Sequence, residues 1–195
     1  MKERESKKIR KTKETAVEIY LNLDLFNEPS ISTGIPFFDH MLSQLSTHGG
    51  FQLDIKANGD LEVDYHHLVE DVGILLGQSF YDAIGDKRGI ARFGYALIPM
   101  DEALSEAVVD ISGRPYLYYD VPIKTKNIIN FNTDLIYEFL YAFTMNAKFT
   151  IHILKKHGEN SHHIIEAIFK SLAYALKGAL KIEGNIVKST KGLIE

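Results

Sequence analysis

His66-His67-Leu68-Val69-Glu70 and His162-His163-Ile164-Ile165-Glu166 are two copies of one five-residue word, a constant 96 positions apart (162 − 66 = 96). The apolar positions that follow keep that spacing: Val72 with Ile168, Leu76 with Leu172 and Phe80 with Leu176. They recur every fourth residue, so each copy predicts one face of an amphipathic helix. Upstream the spacing becomes 98 (135 − 37 = 98), pairing Phe37, Met41, Leu42 and Leu45 with Leu135, Phe139, Leu140 and Phe143. A further helix therefore precedes the first in each half.

Between the helices, Phe51-Gln52-Leu53-Asp54-Ile55 and Phe149-Thr150-Ile151-His152-Ile153 alternate as half-buried strands do. Ala16 to Leu25 and Ala107 to Ile111 supply a leading strand in each half. Breaks fall at Gly34-Ile35-Pro36 and Asn58-Gly59-Asp60. Each half thus reads strand, helix, strand or hairpin, helix, strand. This is a duplicated α+β fold, with a first half over residues 1–95 and a second over 96–195. Halves of that size are small for independent cores, so they are expected to pack as one domain, two β-sheets with helices between or against them. The basic run from Lys2 to Lys13, with acidic residues interleaved, reads as a solvated end.

Composition narrows the chemistry. The chain has no cysteine, which excludes disulfides, thiolate metal sites and a cysteine nucleophile together. Any metal must be bound through nitrogen and oxygen. A formal charge of −4 gives no electrostatic reason to expect a nucleic acid partner. No apolar run suggests a secretory signal or a membrane span, and the default expectation is a cytoplasmic protein.

Four of the eight histidines lie in the repeated word. On a helix, His66 and Glu70 are four apart and share a face, as do His162 and Glu166, a spacing that lets imidazole and carboxylate grip one ion. His67 and His163 are turned by about 100° around the axis, because a helix has roughly 3.6 residues per turn. They are placed for a second ion, whose remaining ligands come from the other repeat or from another subunit. His40 and His152 are candidates to complete the shells, the latter within a strand whose neighbours Ile151 and Ile153 point the other way. His48 and His157 have no repeat partner and are assigned only supporting or plain polar roles. Imidazole and carboxylate donors suit manganese, iron, cobalt or zinc. On these residues alone, a catalytic centre and a purely structural metal staple both remain open.

Arg92 in Gly89-Ile90-Ala91-Arg92-Phe93-Gly94, Arg114 in Ser112-Gly113-Arg114-Pro115-Tyr116, and Ser189-Thr190-Lys191-Gly192 offer guanidinium, hydroxyl and ammonium groups beside flexible backbone, the requirements of a phosphate monoester. No Walker loop, dinucleotide glycine fingerprint or Gly-x-Ser-x-Gly elbow is present, so nucleotide hydrolysis, hydride transfer and serine hydrolysis lose their usual support.

Taken in order, Phe38-Asp39-His40-Met41-Leu42, His48-Gly49-Gly50-Phe51, Asp64-Tyr65-His66-His67, Met100-Asp101-Glu102-Ala103-Leu104, Ser112-Gly113-Arg114-Pro115-Tyr116, the second double-histidine word and Ser189-Thr190-Lys191-Gly192 resemble the imidazoleglycerol-phosphate dehydratases over nearly the whole chain. Leu68 and Lys188 depart from that pattern, where threonine and proline are usual, and neither is an expected ligand. The resemblance implies dehydration of imidazole glycerol phosphate to imidazole acetol phosphate in histidine biosynthesis. It implies two manganese ions ligated by His40, His66, His67, Glu70, His152, His162, His163 and Glu166, across subunit boundaries in an assembly of twenty-four chains. It further implies phosphate recognition by Arg92, Arg114, Ser189 and Lys191. Glu14 matches a glutamate placed beside the glycerol hydroxyls, and is the candidate for proton transfer.

Overall fold

The computed structural model describes residues 3–194. The first half runs β1 (Glu5–Lys11), β2 (Thr15–Asn22), β3 (Ser30–Ser32), α1 (Pro36–Gly49), β4 (Gln52–Gly59) and α2 (His66–Ile84). The second runs β5 (Phe93–Met100), β6 (Ala103–Asp110), β7 (Tyr116–Asp120), β8 (Asn127–Ile128), β9 (Phe131–Asn132), α3 (Leu135–Ala147), β10 (Thr150–His157) and α4 (Ser161–Leu180). The two four-stranded sheets have orders β1-β2-β4-β3 and β5-β6-β10-β7, which correspond strand for strand. In each, three antiparallel strands carry a parallel fourth at one edge. The α+β class and the duplication are therefore as expected, and the β8–β9 ribbon is an insertion in the second half.

Period-2 patterning sets which sheet face is inside. Val17, Ile19 and Leu21 on β2 and Leu53, Ile55 and Ala57 on β4 are buried, as are Ala107, Val109, Ile151 and Ile153 in the second sheet. Onto these faces pack α2, against β1 and β2, and α4, against β5 and β6. Helices also join the halves, α1 lying on α4 and α2 on α3. Phe80 and Phe143 meet edge to face at 5.4 Å, and Phe139 stacks on Phe169 at 5.6 Å, so aromatic rings from both halves fill one core. The α2–α3 approach depends on a missing side chain. A Cβ on Gly77 would fall 2.5 Å from the Phe143 carbonyl oxygen.

Local signals place the turns. Pro36 opens α1, where its lost N–H has no intrahelical partner anyway. Gly50, at φ 70°, closes it by donating its N–H to the Ser46 carbonyl at 2.9 Å and turns the chain directly into β4. The corresponding position in the second half is Lys148, also left-handed at φ 56° and donating to the Thr144 carbonyl.

Three sequence expectations change. The charged run is not a solvated end: Glu5–Lys11 forms β1, while Lys2 lies outside the described residues. Its charges tolerate a strand because alternate side chains find carboxylates on α2, Lys8 pairing with Asp82 at 2.7 Å and Arg10 with Asp71 at 2.8 Å. Each half also opens on a hairpin rather than a single strand, with β2 and β6 bounded differently from the stretches read off composition. Finally, the last regular element of each half is a helix, α2 or α4, rather than a strand. The chain passes from the first sheet to the second between α2 and β5, a few residues ahead of the division read at 95/96.

Candidate metal centre and anion cavity

The α1–α4 crossing brings His40, from the first half, to the double-histidine word of the second. His40 Nε2 lies 3.4 Å and His162 Nε2 3.1 Å from Glu166 Oε2. The potential ligand atoms of these three residues all lie within 4.8 Å of one another. Glu166 is buried and its other oxygen accepts from the Lys170 ammonium at 2.6 Å. Burial alone would raise the Glu166 pKa, but the hydrogen bond and charge of Lys170, with the His162 and His40 rings, hold it below the ordinary carboxylate value. The carboxylate is therefore an anion at neutral pH. The two imidazoles are part-exposed, which leaves the cluster open on one side. Two nitrogen donors and one oxygen donor without sulfur fit a divalent first-row cation of borderline or hard character.

The asparagine before α4 explains why its histidines project as they do. Asn160 caps the helix, its side-chain oxygen accepting from the backbone N–H groups of His162 at 2.9 Å and His163 at 3.4 Å. In α2 the corresponding job falls to Asp64, which accepts from the His66 N–H at 2.7 Å. Both histidine pairs then splay alike: His66 and His67 rings stand 87° apart, His162 and His163 rings 86° apart.

The remaining candidates do not join the cluster within one chain. His66 Nε2 is 4.0 Å from Glu70 Oε2, the i, i+4 geometry expected, and both side chains are more than two-fifths exposed. His67 turns instead to Asp60, with Nδ1 3.0 Å from Oδ2, and lies 3.8 Å from Glu14. His163 Nδ1 lies 2.7 Å from Glu102 Oε2. These carboxylates raise the pKa of both histidines, Asp60 acting on His67 and Glu102 on His163 through their hydrogen bonds. Glu102 itself drops to about 2, chiefly through His163, helped by backbone N–H donors. His152 is alone on the outward face of the second sheet, its ring stacked on Tyr118 at 5.3 Å and near Tyr116 at 6.0 Å. Its neighbours Ile151 and Ile153 are indeed fully buried.

The four anion candidates do converge. Arg92, Arg114, Ser189 and Lys191, with Ser112, line one cavity of about 80 Å³. The C-terminal segment reaches it because Gly89 donates to Ile186 O at 2.9 Å and accepts from Glu183 N–H at 2.8 Å, laying that segment beside residues 89–92. Arg92 is the fixed wall. It holds a left-handed backbone at φ 72°, pairs with Asp110 through Nε at 2.7 Å and Nη2 at 3.1 Å, and donates to the Lys188 carbonyl at 2.6 Å. Arg114 is 71% exposed, with its guanidinium 3.9 Å from Asp110. One carboxylate against two guanidiniums and an ammonium leaves the cavity positive.

Sequence reasoning missed Asp60, Glu102, Lys170 and Asp110. Lys170 was legible as a helical i+4 partner of Glu166. Glu102 has a signal only once the hairpin register is known, and nothing local marks Asp60 or Asp110. Of the two unassigned histidines, His48 lies 2.9 Å from Gln44 and burial lowers its pKa. His157 Nδ1 is 2.9 Å from the Glu102 carbonyl oxygen.

The sequence model of the imidazoleglycerol-phosphate dehydratase family matches residues 33–176. The chain is 53% identical over 187 residues to the imidazoleglycerol-phosphate dehydratase of Thermoanaerobacter pseudethanolicus, covering 95% of this chain and 96% of that one. It is 51% identical over 189 residues to that of Methanosarcina mazei, covering 97% and 98%. The solved dehydratase of Staphylococcus aureus superposes with a TM-score of 0.84 at 40% identity, over 91% of this chain and 99% of that one. The Pyrococcus furiosus enzyme, in complex with (S)-C348, gives 0.83 at 40% identity over 95% and 99%.

Proposed function

This chain belongs to the imidazoleglycerol-phosphate dehydratase family, and on that premise we propose that it acts through two manganese ions held between copies of itself. The reaction follows from the family: water is removed from imidazole glycerol phosphate to give imidazole acetol phosphate, in histidine biosynthesis.

The observation that carries the metal reading is the convergence of His40, His162 and Glu166 on one point, beside double-histidine words whose other donors face away from it. One ligand set is half-built within a chain. His66, Glu70, His67, His163 and His152 offer the rest from directions that one copy does not bring together. A manganese ion in each of two such shared sites would supply positive charge that favours loss of the imidazole N–H proton. The chain's own residues do the remainder. Arg114, Lys191 and Ser189 bind the phosphate against the fixed guanidinium of Arg92. Glu14, at the exposed tip between β1 and β2, moves a proton at the hydroxyl-bearing carbons.

Self-association is supported by the outward face of the second sheet. Tyr95 is 76% exposed, Phe93 59% and Tyr116 55%, with Leu97, Val108 and Tyr118 beside them around His152. By sheet register Tyr95, Val108, His152 and Tyr118 form one row. The same row on the first sheet is Lys7, Tyr20, Asp54 and Ser30, which carries one aromatic ring among polar side chains. An apolar area of this size is what a partner covers. A second copy is the partner that would also bring donors to His152, and a closed assembly of twenty-four chains is the form we propose. Among the described residues no helix is long and apolar enough to cross a membrane, and a cytoplasmic location is part of the same reading.

The test is turnover of imidazole glycerol phosphate by the purified chain before and after metal stripping. Activity lost on stripping and restored by Mn²⁺ is the expected result. Full turnover by a chain verified to be metal-free would refute the metal reading while leaving the reaction in place.

A further inference from the structure

We propose that Glu102 and Asp60 are positioning residues, each holding the Nδ1 of the second histidine in its half, His163 and His67, so that Nε2 is the nitrogen presented to a metal ion. This rests on the metal reading above. A metal-binding imidazole needs its far nitrogen engaged by an acceptor, which fixes both tautomer and ring orientation.

Glu102 is built for this task on all sides. Its Oε2 lies 2.7 Å from His163 Nδ1, while Oε1 accepts from the backbone N–H groups of Asn160 at 2.8 Å and Glu159 at 3.2 Å. His157 engages its carbonyl oxygen at 2.9 Å. With both carboxylate oxygens accepting, the group meets His163 as a pure acceptor, so the proton between them belongs to Nδ1. The opposite nitrogen, Nε2, is 3.6 Å from Asp101 Oδ2, beyond hydrogen-bond distance. In the first half Asp60 Oδ2 lies 3.0 Å from His67 Nδ1.

The register of the sheets adds a second observation. Ile55 pairs with Ile19 in the first sheet, and its repeat counterpart Ile153 pairs with Ala107 in the second. Ala107 therefore corresponds to Ile19, and along the same continuous strands Glu102 corresponds to Glu14 (102 − 14 = 107 − 19). Each is the last residue of its hairpin turn. Yet only Glu102 grips its histidine; Glu14 stands off at 3.8 Å because Asp60 has taken the His67 nitrogen. The duplication has divided one job: the hairpin glutamate orients a ligand in the second half, and in the first half Asp60 orients the ligand and leaves Glu14 free for substrate.

Glu102→Gln separates this from a merely structural contact. An amide has one acceptor oxygen where the carboxylate uses two. It must either turn its NH₂ toward His163, forcing the proton onto Nε2, or turn it toward the Asn160 and Glu159 N–H groups. Metal-stripped full-length protein is titrated with Mn²⁺, and free Mn²⁺ is read by electron paramagnetic resonance. Glu102→Gln and Asp60→Ala are expected to weaken Mn²⁺ affinity by about 10- to 100-fold with the far-UV circular dichroism unchanged, whereas Glu14→Gln leaves it as in wild type. In parallel, ¹⁵N side-chain NMR of metal-free wild type at alkaline pH should show His163 and His67 protonated on Nδ1, their signals identified by loss in His163→Ala and His67→Ala. Unchanged affinity in Glu102→Gln alongside weakened affinity in His163→Ala overturns the role of Glu102 and spares the metal reading. Wild-type affinity in His163→Ala overturns both. Should Glu102→Gln not fold, the wild-type tautomer decides, and a proton on Nε2 of His163 overturns the proposal.

Discussion

His40 and Glu166 are 126 residues apart in the chain, and their side chains meet at 3.4 Å where α1 lies against α4. The carboxylate at that meeting point has two obligations, since it also neutralises Lys170 at 2.6 Å. Its repeat counterpart Glu70 is about half exposed and has no lysine partner among the described residues.

The two glutamates should therefore fail differently. On the proposed metal site, Glu70→Gln and Glu166→Gln are both expected to cut turnover by orders of magnitude, because each would remove an anionic ligand. Only Glu166→Gln should also lower stability, by about 1–3 kcal/mol, by leaving the largely buried Lys170 ammonium without its charge partner. Urea unfolding of both variants beside their turnover checks this; equal stability losses would show that the Lys170 pair is not a stabilising one.

The arginines of the anion cavity should also separate. Arg114 is exposed and its truncation is expected to reduce catalytic efficiency by about 1.5–3 kcal/mol in transition-state terms, with Tm unchanged. Arg92→Ala should lose Tm as well, because Arg92 bonds Asp110 and the Lys188 carbonyl and so ties down the segment bearing Ser189 and Lys191. An unchanged catalytic efficiency in Arg114→Ala would remove it from the phosphate site.

Gly94 is the tightest point between helix and sheet. A Cβ there would fall 1.9 Å from the Ala175 carbonyl oxygen, so the backbone of α4 or β5 would have to move. Gly94→Ala is expected to destabilise by about 3 kcal/mol or more, whereas Gly184→Ala, with nothing within 4 Å of its Cβ, should be nearly silent. Thermal unfolding of the pair tests the packing directly.

The Arg4–Asp24 clamp predicts a pH dependence. Arg4 Nε donates to Asp24 at 3.0 Å and Nη1 to the Leu180 carbonyl at 2.7 Å, tying the first strand to the end of α4. The Arg4 hydrogen bond lowers the Asp24 pKa below its ordinary 3.8. A carboxylate with a depressed folded pKa contributes stability that is present above the unfolded value and is lost as pH falls through the folded one. Wild type should exceed Asp24→Asn by about 0.2–1 kcal/mol at neutral pH, given that Asp24 is nearly half exposed. The two curves should converge at acidic pH, and a difference that persists there would assign the effect to packing.

Much of this was legible in one dimension. The repeated His-His-x-x-Glu word, its apolar followers four residues apart and the alternating strands fixed the duplicated α+β class, because helix and strand periods are local properties of a sequence. The phosphate candidates were legible too, as cationic side chains next to glycine turns, and the structure brings all four to one cavity. What failed locally was β1. Charge patterning marked it as a loose end, and only α2, folded across it, supplies the carboxylates that make a charged strand acceptable.

The sequence by itself determined which side chains could serve as ligands and how they are spaced along each helix, since 3.6 residues per turn puts His66 over Glu70 and His162 over Glu166 whatever surrounds them. Tertiary structure alone decided which of them meet. His40 joins His162 and Glu166 because helices of opposite halves bury their apolar faces on each other, and Glu102 reaches His163 because hairpin register sets a turn beside a helix start. Such meetings depend on how separate elements pack, a relation between distant positions that no local period encodes.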